Sequence, residues 1–160
     1  MKSNIHRYLE LLEKRLGTLR LLATGLEQSR IAIAELDLES IHSHVSHQEN
    51  LCTEIRILDE ELESLKSHLS SEYQRDIDLT DLTTLQGLLD PESERRMRML
   101  AISLNTIQAD VRRLNRVQAE LLRRSRRSIN VLINFMSNYL GTYQPPAARM
   151  NLVMPQQLGK

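Results

Sequence analysis

The side chains best equipped for chemistry in this chain are a loose group of histidines and one cysteine. His42, His44 and His47 fall within six residues, His68 lies further on, and Cys52 stands between them. A bound metal needs ligands that converge on one ion, completed by Cys, Asp or Glu at short range. On a helix His44 and His47 share a face while His42 diverges, and no His-Glu-x-x-His arrangement is present. Cys52 falls on an apolar stripe, where a small buried hydrophobe is expected, and no histidine stands where it would activate the thiol. The carboxylates cluster on helix faces, where a solvated surface explains them, and no Gly-rich phosphate loop occurs. No catalytic residue, metal site or cofactor is therefore expected, and the chain reads as a binding protein rather than an enzyme.

The charged residues offer a second kind of chemistry. Arg112, Arg113, Arg116, Arg123, Arg124, Arg126 and Arg127 place seven arginines in sixteen positions. A basic helix can lie along nucleic acid and release its counterions. Here the arginine offsets are expected to point around much of the helix, and no nucleic-acid module accompanies them. A dense acidic patch at Asp59, Glu60, Glu61 and Glu63 offers an internal partner. Residues 1–90 carry 9 Lys or Arg against 17 Asp or Glu, whereas residues 91–160 carry 12 against 4. The expectation is a solvated basic face with interhelical ion pairs; an acidic protein partner comes second, and nucleic acid is disfavoured.

The elements that must position these groups are helices. In 160 residues there are one Phe, four Tyr and no Trp, and three of the four Pro fall in the last sixteen positions. An aliphatic core of this kind suits slender helix packing. Ile5, Leu9, Leu12, Leu16, Leu19, Ala23 and Leu26 step by four and three along a first helix from about residue 3 or 4 to Leu36. Gly17 and Gly25 lie within it and are expected to permit close approach of a neighbour. Asp37 is a cap or turn residue, with one continuous bent helix as the alternative. Leu38, Ile41, Val45, Gln48, Cys52, Ile55, Leu58, Leu62, Leu65 and Leu69 form the second stripe. A short helix is expected from Thr80 to about Leu89. Asp90 at N-cap and Pro91 at N1 then begin a helix of about 50 residues that ends before Gly141. Its stripe of Met97, Leu100, Leu104, Ile107, Val111, Leu114, Val117 and Leu121 meets Ser125 and Ser128 and resumes at Leu132, Phe135 and Tyr139.

The expected fold is all-α: an elongated antiparallel helical hairpin or bundle with three long helices and one short connecting helix. Residues 1–141 form a single helical-bundle domain, and 142–160 a flexible C-terminal tail. No run of about 18 apolar residues could span a membrane, and the N-terminal MKSNIHRYLELLEKR has no apolar signal segment. With a single cysteine, no intrachain disulfide can form, so a cytoplasmic protein is expected. The third helix is longer than the first two, so its apolar end, with Ile129, Leu132, Ile133, Met136, Tyr139 and Leu140, is expected to project beyond their cover. Such a surface invites helix-to-helix binding, or closes a homodimer seam.

Two segments, AELDLESIHSHVSHQENLCTEIRILDEELESL and RRLNRVQAELLRRSRRSINVLINFMSNYLGTYQP, resemble the FlgN-type flagellar export chaperones. Asn115 and the Leu121–Leu122 pair match that family's Asn followed by a Leu-rich helix, and Tyr143 matches its closing tyrosine. Gln144, Pro145 and Pro146 stand where the family has a short turn ending in Gly. The resemblance implies a cytoplasmic chaperone that binds C-terminal helical segments of hook–filament junction (hook-associated) proteins and keeps them soluble and export-competent. The implied cargo surface comprises Leu114, Asn115, Val117, Leu121, Leu122, Ile129, Leu132, Ile133, Met136, Tyr139 and Leu140. Tyr143 is implied to dock on the export apparatus, through export-gate or export-ATPase components.

Overall fold

The computed structural model describes residues 2–74 and 89–140, and the side chains of 4–74 and 89–135. Three helices occur and no strand is found among the described residues: α1 (Lys2–Glu35), α2 (Leu38–Tyr73) and α3 (Pro91–Leu140). The expected short helix at 80–89 falls almost wholly on residues 75–88, outside the described set, as does the tail at 142–160.

A break of two residues separates α1 from α2, so the alternative of one continuous helix does not hold. Leu36 takes the left-handed conformation at φ 55°. Its N–H donates to the Ile33 carbonyl at 3.2 Å, and the Asp37 N–H donates to the Ala32 carbonyl at 3.0 Å. This is the paired-bond stop that helices usually build with glycine. Asp37 then caps α2, accepting from the Ser40 N–H at 3.1 Å and the Ser40 hydroxyl at 2.6 Å. The start of α3 repeats the device: Asp90 accepts from the Ser93 N–H at 2.9 Å and its hydroxyl at 2.8 Å. Both starts read Asp-x-Glu-Ser, DLES at 37–40 and DPES at 90–93. The serine three residues after the cap thus lends both its N–H and its hydroxyl to one carboxylate.

Packing follows from the stripes. Helix α1 is central, with α2 and α3 both laid along it. Lys14 pairs with Glu54, Arg15 with Asp59, and Asn4 with Glu72, so numbers fall along α2 as they rise along α1. Glu13 pairs with Arg96, and Ser29 with Gln118, so α3 runs in the same sense as α1. A first core cluster gathers Ile5, Tyr8, Leu9, Leu16, Leu19, Leu62, Leu69, Met97, Leu100 and Leu104. A second joins Leu22 and Leu26 to Leu51 and Leu114. Each such buried side chain contributes roughly 1.5–3 kcal/mol from burial.

Between the second cluster and the end of the hairpin lies a polar layer shared by all three helices. The Ser29 hydroxyl donates to Gln118 Oε1 at 2.6 Å, Gln118 Nε2 donates to Gln48 Oε1 at 3.2 Å, and Gln48 Nε2 donates to Ser29 Oγ at 3.1 Å. Gln48 also reaches the Gly25 carbonyl at 3.4 Å. The ring is closed, and no buried side-chain polar atom among the described residues lacks a partner.

Three expectations need correction. Cys52 is exposed, not buried, because the α2 seam steps from Gln48 by three to Leu51, which is 6 % exposed; the larger apolar side chain takes the core position. Val45 is also left at the surface, because the step of four back from Gln48 places His44, half-buried, on the inner side of this turn. Gly17 faces open space, so a methyl there would touch nothing, whereas at Gly25 a Cβ would touch Gln48 and His47 at 4.0 Å.

The αL residue and the carboxylate caps generate two predictions. Leu36→Gly should stabilise the chain by about 0.5–1 kcal/mol, the relief at positive φ exceeding glycine's extra unfolded-state freedom. A rise of roughly 1–4 °C in Tm checks this. The Ser40 hydroxyl and N–H hold the Asp37 carboxyl below its ordinary value, and the Ser93 N–H and hydroxyl do so for Asp90. The Arg96 guanidinium lowers Glu13. A depressed folded value stabilises above the unfolded value, about 3.9 for Asp, and that stability is lost as pH falls through the folded one. Denaturant titrations below about pH 4 should show this acid loss, and Asp37→Asn with Asp90→Asn should flatten it while keeping the caps.

Candidate functional site

The length mismatch between α1 and α3 creates the most distinctive surface. The Ser29–Gln118 bond sets residue 29 of α1 level with residue 118 of α3. Helix α1 ends six residues later at Glu35, whereas α3 runs on to Leu140, about 33 Å past Gln118 at 1.5 Å per residue. Gln118 is also the last buried residue on α3 among those described. By that register α1 ends near the level of residue 124, and beyond it the seam continues with no described helix over it.

The residues implied as cargo-binding divide at this level. Leu114 is 5 % exposed within the second core cluster, so it supports the surface from beneath. Val117, Leu121 and Ile133 are half-buried, and Asn115 is exposed. Leu122, Ile129 and Leu132 are exposed at 41 %, 42 % and 60 %. The helix positions of Met136, Tyr139 and Leu140 belong to α3, and their side chains lie outside the described set, as does Tyr143. At 100° per residue Leu121, Leu122, Ile129, Leu132, Ile133 and Phe135 share an arc of about 160°. That arc prolongs the face that Leu114 and Gln118 bury lower down.

Three exposed apolar residues escape the sequence reading as site members. Phe135 lies on the projecting segment, and Leu36 and Leu38 lie at the tip of the α1–α2 hairpin; exposed Val131 falls instead on the arginine side of α3. Two leucines flanking a cap aspartate, where a turn would ordinarily be polar, are the signal that could have found the tip pair. By the 29-to-118 register, the tip stands level with the first turns of uncovered α3. The floor and one end of a notch are thus both apolar.

The basic stretch behaves differently from expectation. Arg113 pairs with Asp110 at 3.7 Å, and Arg123 and Arg124 both pair with Glu120 at 3.0 Å. Both partners lie on α3 itself. The acidic patch of α2 is engaged elsewhere, Asp59 by Arg15, Glu60 by Arg56 and Glu63 by Lys66. The two stretches do not meet because α2 runs against α3, which sets residues 59–63 near Leu104 rather than near the arginines. Nor do the arginines surround the helix: all seven are exposed and fall within an arc of about 160° opposite the apolar one.

Among the described residues no group of His, Cys, Asp and Glu could hold a metal ion, and no helix is long and apolar enough to cross a membrane. Neither a curated protein nor a solved structure matches the chain. The family model described as FlgN protein matches residues 1–149. With nearly the whole chain matched and an all-helical bundle on the page, the chain belongs to the FlgN family of flagellar export chaperones.

Proposed function

We propose that this chaperone works in the cytoplasm, holding helical C-terminal segments of hook–filament junction proteins in the notch where α3 outruns the α1–α2 hairpin. The single observation that carries this reading is the continuity of the seam. The same face of α3 is buried at Leu114 and Gln118 and exposed at Ile129 and Leu132. A cargo helix laid there would take the place that α1 occupies lower in the bundle, using the same aliphatic interdigitation. Leu36 and Leu38 would close the end of the notch against it. Secreted helices that later polymerise expose apolar faces, and a carrier that buries them reversibly keeps them soluble.

The chain contributes binding, not catalysis, in this reading. Leu121, Leu122, Ile129, Leu132, Ile133, Met136, Tyr139 and Leu140 form the contact face, Asn115 and Val117 stand at its lower edge, and Leu114 fixes its base. Tyr143 then serves docking on export-gate or export-ATPase components. A homodimer closed through the same arc is the second reading, and it rests on the same exposed residues.

Co-purification with C-terminal fragments of junction proteins tests the proposal. Wild-type chain should retain a fragment, and Ile129→Glu with Leu132→Glu should weaken it roughly 100-fold, the loss expected when about 3 kcal/mol of apolar burial is removed. Both positions are exposed, so the helical melt should be unchanged. Retention of no fragment by the wild type would overturn the reading, as would normal binding by the folded double variant. Self-association that persists on dilution without fragment binding would establish the dimer instead.

A further inference from the structure

The face of α3 opposite the notch is as consistent in character as the notch itself. From Arg112 to Arg127 the helix spans about 22 Å, and every one of the seven arginines in that span is exposed. On the arc they occupy, the remaining positions are Ala119 and Glu120. Glu120 is the last acidic residue of the sequence. Arg112, Arg126 and Arg127 form no salt bridge among the described residues, and Arg116 reaches only the Arg112 carbonyl, at 3.4 Å. Asp110 and Glu120 engage three of the others in exposed intrahelical pairs, which hold such charges weakly.

We infer that this arginine face docks on an anionic phospholipid bilayer surface, and that it does so while the notch is occupied. The inference deepens the chaperone reading by giving the carrier a second, independent contact. Three observations favour a bilayer. The arc lies on the side of α3 away from α1 and α2, so a flat surface can approach all of it without meeting the bundle. It carries no aromatic or large aliphatic anchor between residues 112 and 127, and stable protein interfaces depend on such anchors. Guanidinium groups pair with phosphate oxygens through two parallel hydrogen bonds, and lipid phosphates can move laterally to meet a fixed row of them. Each basic residue near an anionic leaflet adds about fivefold to binding, and the effect fades within a Debye length.

Flotation of the full chain with vesicles tests this directly. Phosphatidylcholine vesicles containing about one third phosphatidylglycerol should carry the chain upward in 50 mM salt and release it in 500 mM salt. Pure phosphatidylcholine vesicles should leave it behind. Replacing Arg116, Arg123 and Arg127 with Gln should weaken vesicle binding roughly 100-fold, three steps of about fivefold. The same variant should keep its helical melt and its grip on cargo fragments. Ile129→Glu with Leu132→Glu should do the reverse, keeping vesicle binding and losing cargo, so failure of one proposal is visible apart from failure of the other. No binding to anionic vesicles at 50 mM salt would overturn the inference. Equal binding to neutral vesicles would overturn it, as would a salt-sensitive affinity for duplex DNA or RNA exceeding that for the vesicles.

Discussion

Where the α1–α2 hairpin stops decides what the rest of the molecule can do. Leu36 and Asp37 reverse the chain in two residues, with the last carbonyls of α1 closed by backbone bonds and α2 capped at once by Asp37. A longer connection, or an α1 extended by three turns, would have carried apolar cover over Ile129 and Leu132. The reversal is made by a leucine at positive φ, against the usual preference for glycine there. The strain of that conformation is small beside the burial energy of the two core clusters, which is why the turn persists without glycine.

The turn defines an end, but only a fixed register turns that end into a fixed surface. Seams rich in leucine tolerate sliding, because one Leu replaces another a heptad away at little cost. The ring of Ser29, Gln48 and Gln118 does not tolerate it: displaced by a heptad, buried Ser29 and Gln118 and half-buried Gln48 would lose their partners. Apolar burial therefore supplies most of the stability, and one polar layer near the hairpin end specifies alignment. That layer sits at the last level of α3 with a described buried residue, the place where a slip would most alter the exposed face.

Much of this is legible in the sequence, and the failures are instructive. Local chemistry reads well: Asp90 with Pro91, Asp37, and the long interval without breakers each correspond to an element boundary or body. The α2 register reads less well, since steps of three and four from Gln48 lead equally to Leu51 and Cys52, and only side-chain volume in the assembled seam separates them. Gly17 and Gly25 have the same local signature, yet only Gly25 meets a neighbour. Ion pairing is illegible for a topological reason: opposite net charges in two halves say nothing about level, and the antiparallel course of α2 carries its acidic patch away from the arginines. The projecting end of α3 is legible from relative helix lengths alone, while the leucines of the hairpin tip require the offset between α1 and α3.

A helix that leaves its bundle must reconcile exposure with solubility. Isolated helices are marginal in water unless something supports them, and an apolar face without cover invites aggregation. Helix α3 handles the conflict by separating its faces. The basic arc contributes strong hydration and mutual repulsion between copies, set directly against the apolar arc over Leu121 to Leu122 and continued by Asn130 and Asn134 further out. The half-turns at Ser125 and Ser128 thin the apolar face just where it leaves the bundle. Cover is thus withdrawn gradually along α3, from Leu114 in the core, through half-buried Val117 and Leu121, to Leu132 in solvent. Because the two arcs do not overlap, a ligand on one leaves the other open, and the helix can be held from both sides at once.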